Sequence, residues 1–371
     1  MTANPRTNAV PGTRIRESDL ATFIENAFEA AGLTPEEAAI AARALVLADL
    51  RGVESHGVAR LPGFLRRLGE GLIDPHARLT VDRETPSTLA LSANNGLGLI
   101  VAGKAMERCI AKAGTTGICV TTVRQSNHFG IAGTWAAMAA ERGMGGMAMT
   151  NASRLVVPTF AKTPMLGTNP LAFAVPTGSG RPLVLDMSTS TVAWGKIEIA
   201  RRAGLPIPEG WAFDVDGRPT TVAADVKGLA PLGGNRASSG HKGYGLSVMV
   251  DVLCGPLSGN AWSFDIAPSF STGMSPGIGH FFMAWRIDAF REPAEFTAEI
   301  DAMLDALRSA SVGEGQPSDR VLVPGDPEAE AEERNRRLGI PIRDEVLAEL
   351  KAAVEPLGVP FTLGDADTDS L

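Results

Sequence analysis

The chain has 371 residues, enough for one large domain or for two to three smaller domains with substantial cores. Hydrophobic residues make up 44% and charged residues 20%, which are ordinary values for a soluble globular protein. The formal charge of −8 argues against nucleic acid as a partner, because phosphate binding requires a basic face.

Helical patterns fill the N-terminal part of the chain. Asp19 precedes apolar residues at the spacing of one helical face, which predicts a helix that Gly32 ends. Thr34 is an N-cap followed by a proline and two glutamates, so a second helix is predicted to about Asp49. Residues 61–68 predict a third helix.

Strand and helix patterns alternate in the middle of the chain. Two helical stretches, 98–113 and 131–142, lie among strand-like runs at residues 89–91, 117–123, 146–150, 171–175 and 183–186. Such alternation predicts an α/β layer structure with a partly parallel sheet.

The second half of the chain is richer in turns and glycine. Residues 228–245 hold six glycines, and residues 244–253 predict a buried helix. Residues 326–338 predict a charged, solvated helix that Gly339 ends, and residues 344–354 predict a last amphipathic helix.

Two of the five histidines stand in segments that suit acid/base chemistry on a small anion. His56 follows Ser55 and precedes Arg60 by four residues, and His128 lies in the sequence SNHFG. Histidine titrates near neutral pH, which favours it as a proton donor or acceptor. A helix starting at Gly130 would place His128 beside a helix N-terminus, where partial positive charge favours anions. The alternative for either histidine is a structural role in a turn.

Motifs for a phosphate-bearing cofactor are weaker. No GxGxxG fingerprint follows a predicted strand and no Walker motif is present, so a Rossmann domain is not supported. The sequence GHKGYG places Lys242 among glycines, which suits a phosphate contact or, alternatively, a flexible loop. Asp186 and Ser188 follow a strand, where they either contact a ligand or cap the next helix. Thr168 lies in a GTNP turn, and Lys196 is either a surface or a site residue.

The other reactive side chains indicate structural roles. His76 follows an Asp-Pro turn and is predicted in a surface loop, and His280 heads an apolar strand. The cysteines lack the spacing of a disulfide framework or a zinc site, so reduced thiols and no metal are expected for Cys109, Cys119 and Cys254. The N-terminal residues lack a secretory signal and no apolar run is long enough to span a membrane, so a cytoplasmic protein without a membrane partner is expected.

Seven motifs, in their order along the chain, resemble those of the malate/L-lactate dehydrogenase family, which includes sulfolactate and ureidoglycolate dehydrogenases and an imine-reducing branch. They are SHGVAR, SNHFGIAG, LGTNPLAFAVP, LVLDMSTS, GWAFDVDGRPT, PLGG and HKGYGL, and the resemblance runs over residues 14–358. Each motif is weak alone, but their ordered succession is specific. The resemblance implies an oxidoreductase that uses NAD or NADP and forms a homodimer with sites near the subunit interface.

The fold that this resemblance implies is α/β, with a non-Rossmann, mixed-sheet NAD(P)-binding domain over residues 81–289. Residues 14–80 and 290–360 would together form a helical dimerisation domain. Residues 1–13 and 364–371 would be flexible tails.

The resemblance also implies roles for individual residues. Ser55 and His56 match the family's catalytic Ser-His pair, and Arg60 matches the arginine that faces the substrate carboxylate. Thr168 matches a substrate-side threonine, and His128 matches a cofactor-contacting histidine that is the proton acceptor in some members. The further cofactor-binding positions are Phe129, Gly130, Ile131, Ala132, Asp186, Met187, Ser188, Lys242, Pro324 and Gly325.

Two positions depart from the family pattern. Lys196 stands where the imine-reducing branch has an aspartate behind its Ser-His pair, and it is grouped with the catalytic residues for that position alone. Ala152 replaces a serine that touches the cofactor in some members.

The resemblance, together with the histidine and arginine motifs, therefore leads to the hypothesis of hydride transfer between NAD(P) and C2 of a small 2-hydroxy or 2-oxo carboxylic acid. Arg60 would bind the carboxylate and His56 would exchange the proton, with His128 as the competing acid/base residue. The alternatives are a reductase of cyclic imine 2-carboxylates and a binding protein that keeps the fold without turnover.

Overall fold

The computed structural model describes residues 12–268, 273 and 275–364. Contacts divide the described residues into two units. The first unit contains the described parts of Met1–Gly71, Pro176–Leu183 and Phe290–Leu371, and the second contains those of Leu72–Val175 and Val184–Ala289. Most of the two predicted tails, residues 1–11 and 365–371, lies outside the described residues.

The described residues form ten α-helices: α1 (Glu17–Ala30), α2 (Pro35–Leu50), α3 (Leu61–Gly69), α4 (Gly98–Thr116), α5 (Ala132–Ala140), α6 (Trp194–Ala203), α7 (Gly240–Cys254), α8 (Pro293–Arg308), α9 (Asp326–Leu338) and α10 (Asp344–Val354). They also form twelve strands: β1 (Thr13–Ile15), β2 (Thr80–Thr85), β3 (Thr88–Ser92), β4 (Ile118–Ser126), β5 (Met144–Thr150), β6 (Leu171–Val175), β7 (Leu183–Met187), β8 (Ala212–Phe213), β9 (Pro219–Thr220), β10 (Gly228–Leu229), β11 (Ile278–Arg286) and β12 (Ile340–Ile342).

The first unit is mainly helical, and its sequence signals predict most of its elements. Thr34 caps α2, because its hydroxyl accepts a hydrogen bond from the N–H of Glu37 at 3.3 Å. The proline that follows Thr34 lies in the first turn of the helix. Helix α9 ends before Gly339, whose φ of +81° is the left-handed conformation that favours glycine. Strand β1 pairs antiparallel with β12, so Thr13 belongs to a strand rather than to the predicted tail.

The second unit is built around a seven-stranded sheet in the order β2-β3-β4-β11-β5-β6-β7. Strands β3 and β4 are parallel and are joined by α4, whereas β11 runs antiparallel to both β4 and β5. The sheet is therefore mixed, which confirms the predicted α/β fold class. A small sheet in the order β10-β8-β9 lies in the glycine-rich part of the same unit.

Helices α5 and α7 pack on opposite faces of this sheet. In β5, a side chain at Gly146 would overlap the carbonyl of Ala136 in α5. Met149, which lies three residues further along β5, packs in a cluster with Val250 of α7. Because successive residues of a strand point to opposite faces, these two contacts assign the two helices to different sides.

Several elements differ from the sequence predictions. Helices α6 and α8 were not predicted from the sequence, and only Ile197 and Leu304 respectively are buried in them. Helix α7 begins at Gly240, four residues before the predicted start. The prediction that it is buried was wrong, because apolar side chains on one face are exposed, among them Val248, Met249 and Val252.

The early start of α7 has a steric reason. A side chain at Gly240 would overlap the carbonyl of Gly234, and one at Gly243 would overlap the backbone of Leu232. The glycines therefore allow a helix to pack closely against a loop, although their low helix propensity indicates a loop in the sequence.

Among the described residues, no helix combines the length and the apolar character that a membrane span requires.

Candidate functional site

The segment after α2 brings Ser55, His56 and Arg60 together within the first unit. Two short 3-10 turns, Glu54–His56 and Val58–Arg60, follow one another along this segment. The Ser55 hydroxyl and the His56 Nδ1 are 2.8 Å apart, and the Arg60 Nε donates to the carbonyl of Ser55 at 2.6 Å. The predicted catalytic pair and the predicted carboxylate-binding arginine thus form one hydrogen-bonded cluster.

The charge state of this cluster suits proton exchange with an anion. Burial, and then the positive charge of Arg60, lower the pKa of His56 from 6.5 to about 4. The imidazole is therefore neutral at pH 7, which is the form that accepts a proton. A carboxylate bound at Arg60 offsets the positive charge of the guanidinium, so its arrival makes protonation of His56 easier.

One residue that supports this cluster was missed in the sequence analysis. Asp49 lies in the last turn of α2, is buried, and accepts the N–H of Val58 through Oδ2 at 2.7 Å. The available signal was an acidic residue among the alanines and leucines of a predicted buried helix, since such a carboxyl needs a partner.

The second histidine, His128, lies in the second unit after β4. It is half-buried, and its Nδ1 accepts the N–H of Gly130 at 3.3 Å. Helix α5 begins at Ala132, so the prediction that Gly130 starts this helix was wrong. Gly130 has a φ of +80°, and a residue in that left-handed conformation cannot belong to a right-handed helix.

The anion-favouring position at the start of α5 is filled by a side chain of this chain. The carboxylate of Asp186 accepts the N–H of Gly133 at 2.6 Å, in the first turn of the helix. The predicted attraction of a ligand anion to this helix N-terminus is therefore not supported by the local geometry. The exposed carboxylate of Asp186 instead offers an acceptor for hydroxyl groups.

Backbone contacts bring several predicted positions of the second unit together. The carbonyl of Thr168 accepts the N–H of Thr189 at 2.9 Å, next to Ser188. The carbonyl of Thr189 in turn accepts the N–H of Leu232, which packs against the first turns of α7. Lys242 lies in those turns and is exposed.

The start of α7 carries an excess of positive charge. Its N-cap residue, Ser239, makes no side-chain capping hydrogen bond, and the first turn has no acidic residue. A guanidinium nitrogen of Arg236 is 2.8 Å from the His241 Nδ1, and Lys242 follows directly. Desolvation, and then the charges of Arg236 and Lys242, lower the pKa of His241, so the guanidinium and the ammonium are the cations of this turn.

The remaining predicted positions lie elsewhere in their units. Phe129 is in the core, Ile131 is mostly buried and Met187 is partly buried. Lys196 is exposed in the first turn of α6. Pro324 and Gly325 belong to the first unit, where they line a cavity in front of α9 together with Thr177, Ser179 and Arg181.

His76 and His280 have the structural positions that the sequence predicts. His76 is exposed in a loop, where its N–H is bound by the carboxylate of Asp74. His280 is fully buried, with its ring nitrogens 2.8 Å from the hydroxyls of Thr150 and Ser126. Burial lowers the pKa of His280 to about 3, so this ring is neutral.

All three cysteines are buried, and none of them is in a disulfide. In the part of the chain that the structure describes, no group of three or more histidine, cysteine or acidic side chains is arranged to hold a metal ion.

The described residues combine a mixed α/β fold with a histidine-arginine cluster in one unit and a cationic helix start in the other. Comparison with known proteins identifies the family. The model of the malate/L-lactate dehydrogenase family matches residues 15–351. The chain therefore belongs to the malate/L-lactate dehydrogenase family.

Individual relatives agree with this assignment. The chain is 42% identical to a malate dehydrogenase of Pyrococcus abyssi, over 93% of this chain and 95% of the relative. It is 35% identical to a Δ1-pyrroline-2-carboxylate reductase of Ancylobacter novellus, over 91% of this chain and 97% of the relative. The solved structure of a Pyrococcus horikoshii malate dehydrogenase matches it with a TM-score of 0.87 and 39% identity, over 94% of this chain and 97% of that one.

Proposed function

We propose that this protein is a dehydrogenase that transfers a hydride between NAD or NADP and C2 of a small 2-hydroxy or 2-oxo carboxylic acid. The observation that carries the proposal is the hydrogen-bonded cluster of Ser55, His56 and Arg60. It joins a neutral imidazole to a guanidinium, which are the two groups that a hydroxy-acid oxidation requires from the protein.

Each residue of the cluster has a separate task. Arg60 binds the substrate carboxylate, and its bond to the Ser55 carbonyl fixes the plane of the guanidinium. His56 accepts the hydroxyl proton at its ring during oxidation and returns it during reduction. Ser55 holds the ring through Nδ1, which fixes its orientation. His128 remains the competing acid/base residue.

The residues of the second unit fit a nicotinamide dinucleotide by the chemistry of their donors and acceptors. Lys242 and Arg236, at the uncapped start of α7, suit the diphosphate. The carboxylate of Asp186 and the hydroxyl of Ser188 suit ribose hydroxyls. The bound cofactor supplies or accepts the hydride. The other predicted contacts, from His128 to Ala132 and at Met187, Pro324 and Gly325, belong to the same proposal, as does Thr168 on the substrate side.

The cyclic-imine alternative has one observation in its favour, the relative from Ancylobacter novellus named a Δ1-pyrroline-2-carboxylate reductase. Lys196 argues against it, because a cation occupies the position where the imine-reducing branch has an aspartate. Lys196 stays in the proposed catalytic group for its sequence position alone, and we assign it no proton-transfer step.

We further propose that the protein is a cytoplasmic homodimer. The support for association is the exposed apolar side of α7 and of the loop that follows it, where Val252 is 50% exposed and Leu257 57% exposed. Large exposed apolar patches are typical of protein–protein contacts. Sedimentation equilibrium of the wild type and of Val252→Glu tests this proposal, since the dimer is expected to dissociate in the variant.

A substrate panel tests the proposed reaction. Reduction of several 2-oxo acids and of Δ1-pyrroline-2-carboxylate is followed by the absorbance of NADH and of NADPH. We expect turnover of at least one 2-oxo acid at a rate well above that of the imine. Faster reduction of the imine would favour the alternative, and cofactor binding without turnover of any substrate would indicate the non-catalytic homologue.

A further inference from the structure

Asp49 lies directly beneath the segment that carries the proposed acid/base residue. It is 3% exposed, in the last turn of α2. Its Oδ2 accepts the N–H of Val58, the first residue of the turn that ends at Arg60. The carboxyl therefore holds the start of the turn that positions the guanidinium.

The same carboxyl also occupies the space beside Gly57, which immediately follows His56. A side chain at Gly57 would overlap all three heavy atoms of the Asp49 carboxyl group. The φ of Gly57 is −88°, so the requirement for glycine here comes from this close approach and not from a left-handed backbone. Asp49 thus contacts the chain between His56 and Arg60 in two independent ways.

Asp49 is itself held from the other side by α9. The side-chain amide of Asn335 donates to the carbonyls of Asp49 and Leu50, at 3.3 and 2.9 Å, and so fixes the end of α2. Asn335 is buried, so these hydrogen bonds are protected from exchange with water. The end of α2, which carries the Asp49 carboxyl, is therefore held in place by these hydrogen bonds.

We propose that Asp49 is a positioning residue that sets the placement of His56 relative to Arg60, acting through Gly57 and the N–H of Val58. The kinetic consequences of this inference rest on the proposed function. The placement of the His56 ring by Asp49 does not, and it can be measured without any substrate.

The carboxyl acts as a neutral group near pH 7. Burial, and to a smaller extent the charge of Glu54, raise its pKa to about 8, against the opposing hydrogen bond from Val58. A neutral carboxyl and a carboxamide have nearly the same shape and both accept a hydrogen bond. Asn is therefore the conservative replacement, and Ala removes both contacts.

The test compares Asp49→Asn, Asp49→Ala and a control, Glu37→Ala, in the full-length protein. Glu37 is the other buried acidic side chain of α2, and it lies in the first turn, where the hydroxyl of Thr34 binds it. The first readout is the His56 ring signal in NMR spectra of histidine-labelled protein, assigned with His56→Gln. The second is kcat and KM for a reduced 2-oxo acid, and the third is the melting temperature.

We expect Asp49→Ala to displace the His56 signal and to lower kcat/KM at least 10-fold, with both a lower kcat and a higher KM. Asp49→Asn should restore the signal and bring kcat/KM within about threefold of wild type. Glu37→Ala should lower the melting temperature and leave the His56 signal and both kinetic constants unchanged.

A purely structural role for Asp49 would give the opposite result. Asp49→Ala would then lower the melting temperature as Glu37→Ala does, with the His56 signal and the kinetic constants of wild type, and the inference would be overturned. If Asp49→Ala does not fold, Asp49→Ser takes its place, because the shorter serine side chain leaves the space beside Gly57 and does not reach the N–H of Val58 as aspartate does. A displaced His56 signal in that folded variant supports the inference, and the wild-type signal overturns it. Failure of the proposed function is distinguishable, because wild type would then turn over no 2-oxo acid while the NMR comparison still reports on Asp49.

Discussion

His56 and His128 lie in different units and are held in different ways. The ring of His56 is bound by a neighbouring hydroxyl, and burial and the adjacent Arg60 lower its pKa to about 4. The ring of His128 is half-buried, and its Nδ1 accepts a hydrogen bond from the backbone N–H of Gly130. Arg60, a cation that can pair with an anionic substrate, therefore lies in the same segment as His56. His128 lies in a turn that contains glycine.

This difference separates two tasks that the sequence alone leaves open. A histidine beside a fixed cation exchanges a proton with the anion that the cation binds, because both groups act on one molecule. We therefore propose His56, with His128 as the competitor, for the proton transfer.

The largest expected effect comes from removal of that imidazole. His56→Ala should lower kcat by about 10²- to 10⁴-fold, the usual contribution of a general acid/base, with His128→Ala losing less. Steady-state kinetics of both variants at saturating cofactor measure this, with His76→Ala as the control because His76 is exposed in a loop. Wild-type kcat in His56→Ala together with a large loss in His128→Ala would reverse the assignment.

Removal of the guanidinium should affect binding more than the chemical step. Arg60→Ala should raise KM for 2-oxo acids by about 10- to 100-fold, because a hydrogen bond to a charged group contributes about 1.5–3 kcal/mol. The matched control is Arg66→Ala, an exposed arginine of α3. An unchanged KM across the 2-oxo acids would remove the carboxylate-binding role of Arg60.

The close approach at Gly57 should appear in stability. Gly57→Ala should lower the free energy of unfolding by about 1–3 kcal/mol, because the added methyl group overlaps the Asp49 carboxyl. Urea unfolding of Gly57→Ala and of Gly69→Ala gives the comparison, since an added methyl group at Gly69 has no neighbour within 4 Å. Equal stabilities of the two variants would contradict the packing between Asp49 and Gly57.

The buried His280 should make stability depend on pH. Its pKa is about 3 in the folded chain against 6.5 in the unfolded chain, so the unfolded chain binds more protons between these values. The free energy of unfolding therefore falls as the pH falls, by about 1.5 kcal/mol between pH 6.5 and 5 for this residue alone. The raised pKa of Asp49 acts with the opposite sign, since its stabilisation is lost as the pH rises toward 8.

A comparison with His280→Gln isolates the contribution of this histidine. Urea unfolding at pH 6.5 and at pH 5 should show a smaller loss of stability in the variant than in wild type. The same loss in both proteins would show that His280 has the same pKa in the folded and the unfolded chain, which contradicts the expected effect of its burial.

The local signals that predicted the fold correctly are those that act within one element. Thr34 with its following proline, and Gly339 after a charged run, predicted helix ends because caps depend on a few neighbouring residues. Helix α7 was predicted to start too late because the reason for Gly240 and Gly243 is contact with residues 232–234, which no local pattern reveals.

The candidate site shows the same division. Ser55, His56 and Arg60 were predicted as one group because they share a segment and a family motif. Asp49 was missed because its contacts with Gly57 and Val58 exist only after α2 has folded against the following turns. The carboxylate of Asp186 at the start of α5 likewise depends on two segments separated by more than 50 residues.

The most direct test of the proposed reaction is the transfer of a label from the cofactor to the substrate carbon. Reduced nicotinamide cofactor, in separate samples deuterated on each face of C4, is incubated with a 2-oxo acid, and the product is analysed by mass spectrometry. The account predicts a 2-hydroxy acid that carries one deuterium at C2 when the cofactor is deuterated on one face of C4, and no deuterium when it is deuterated on the other face. A 2-hydroxy acid without deuterium in both samples, or no such product with any 2-oxo acid, would contradict it.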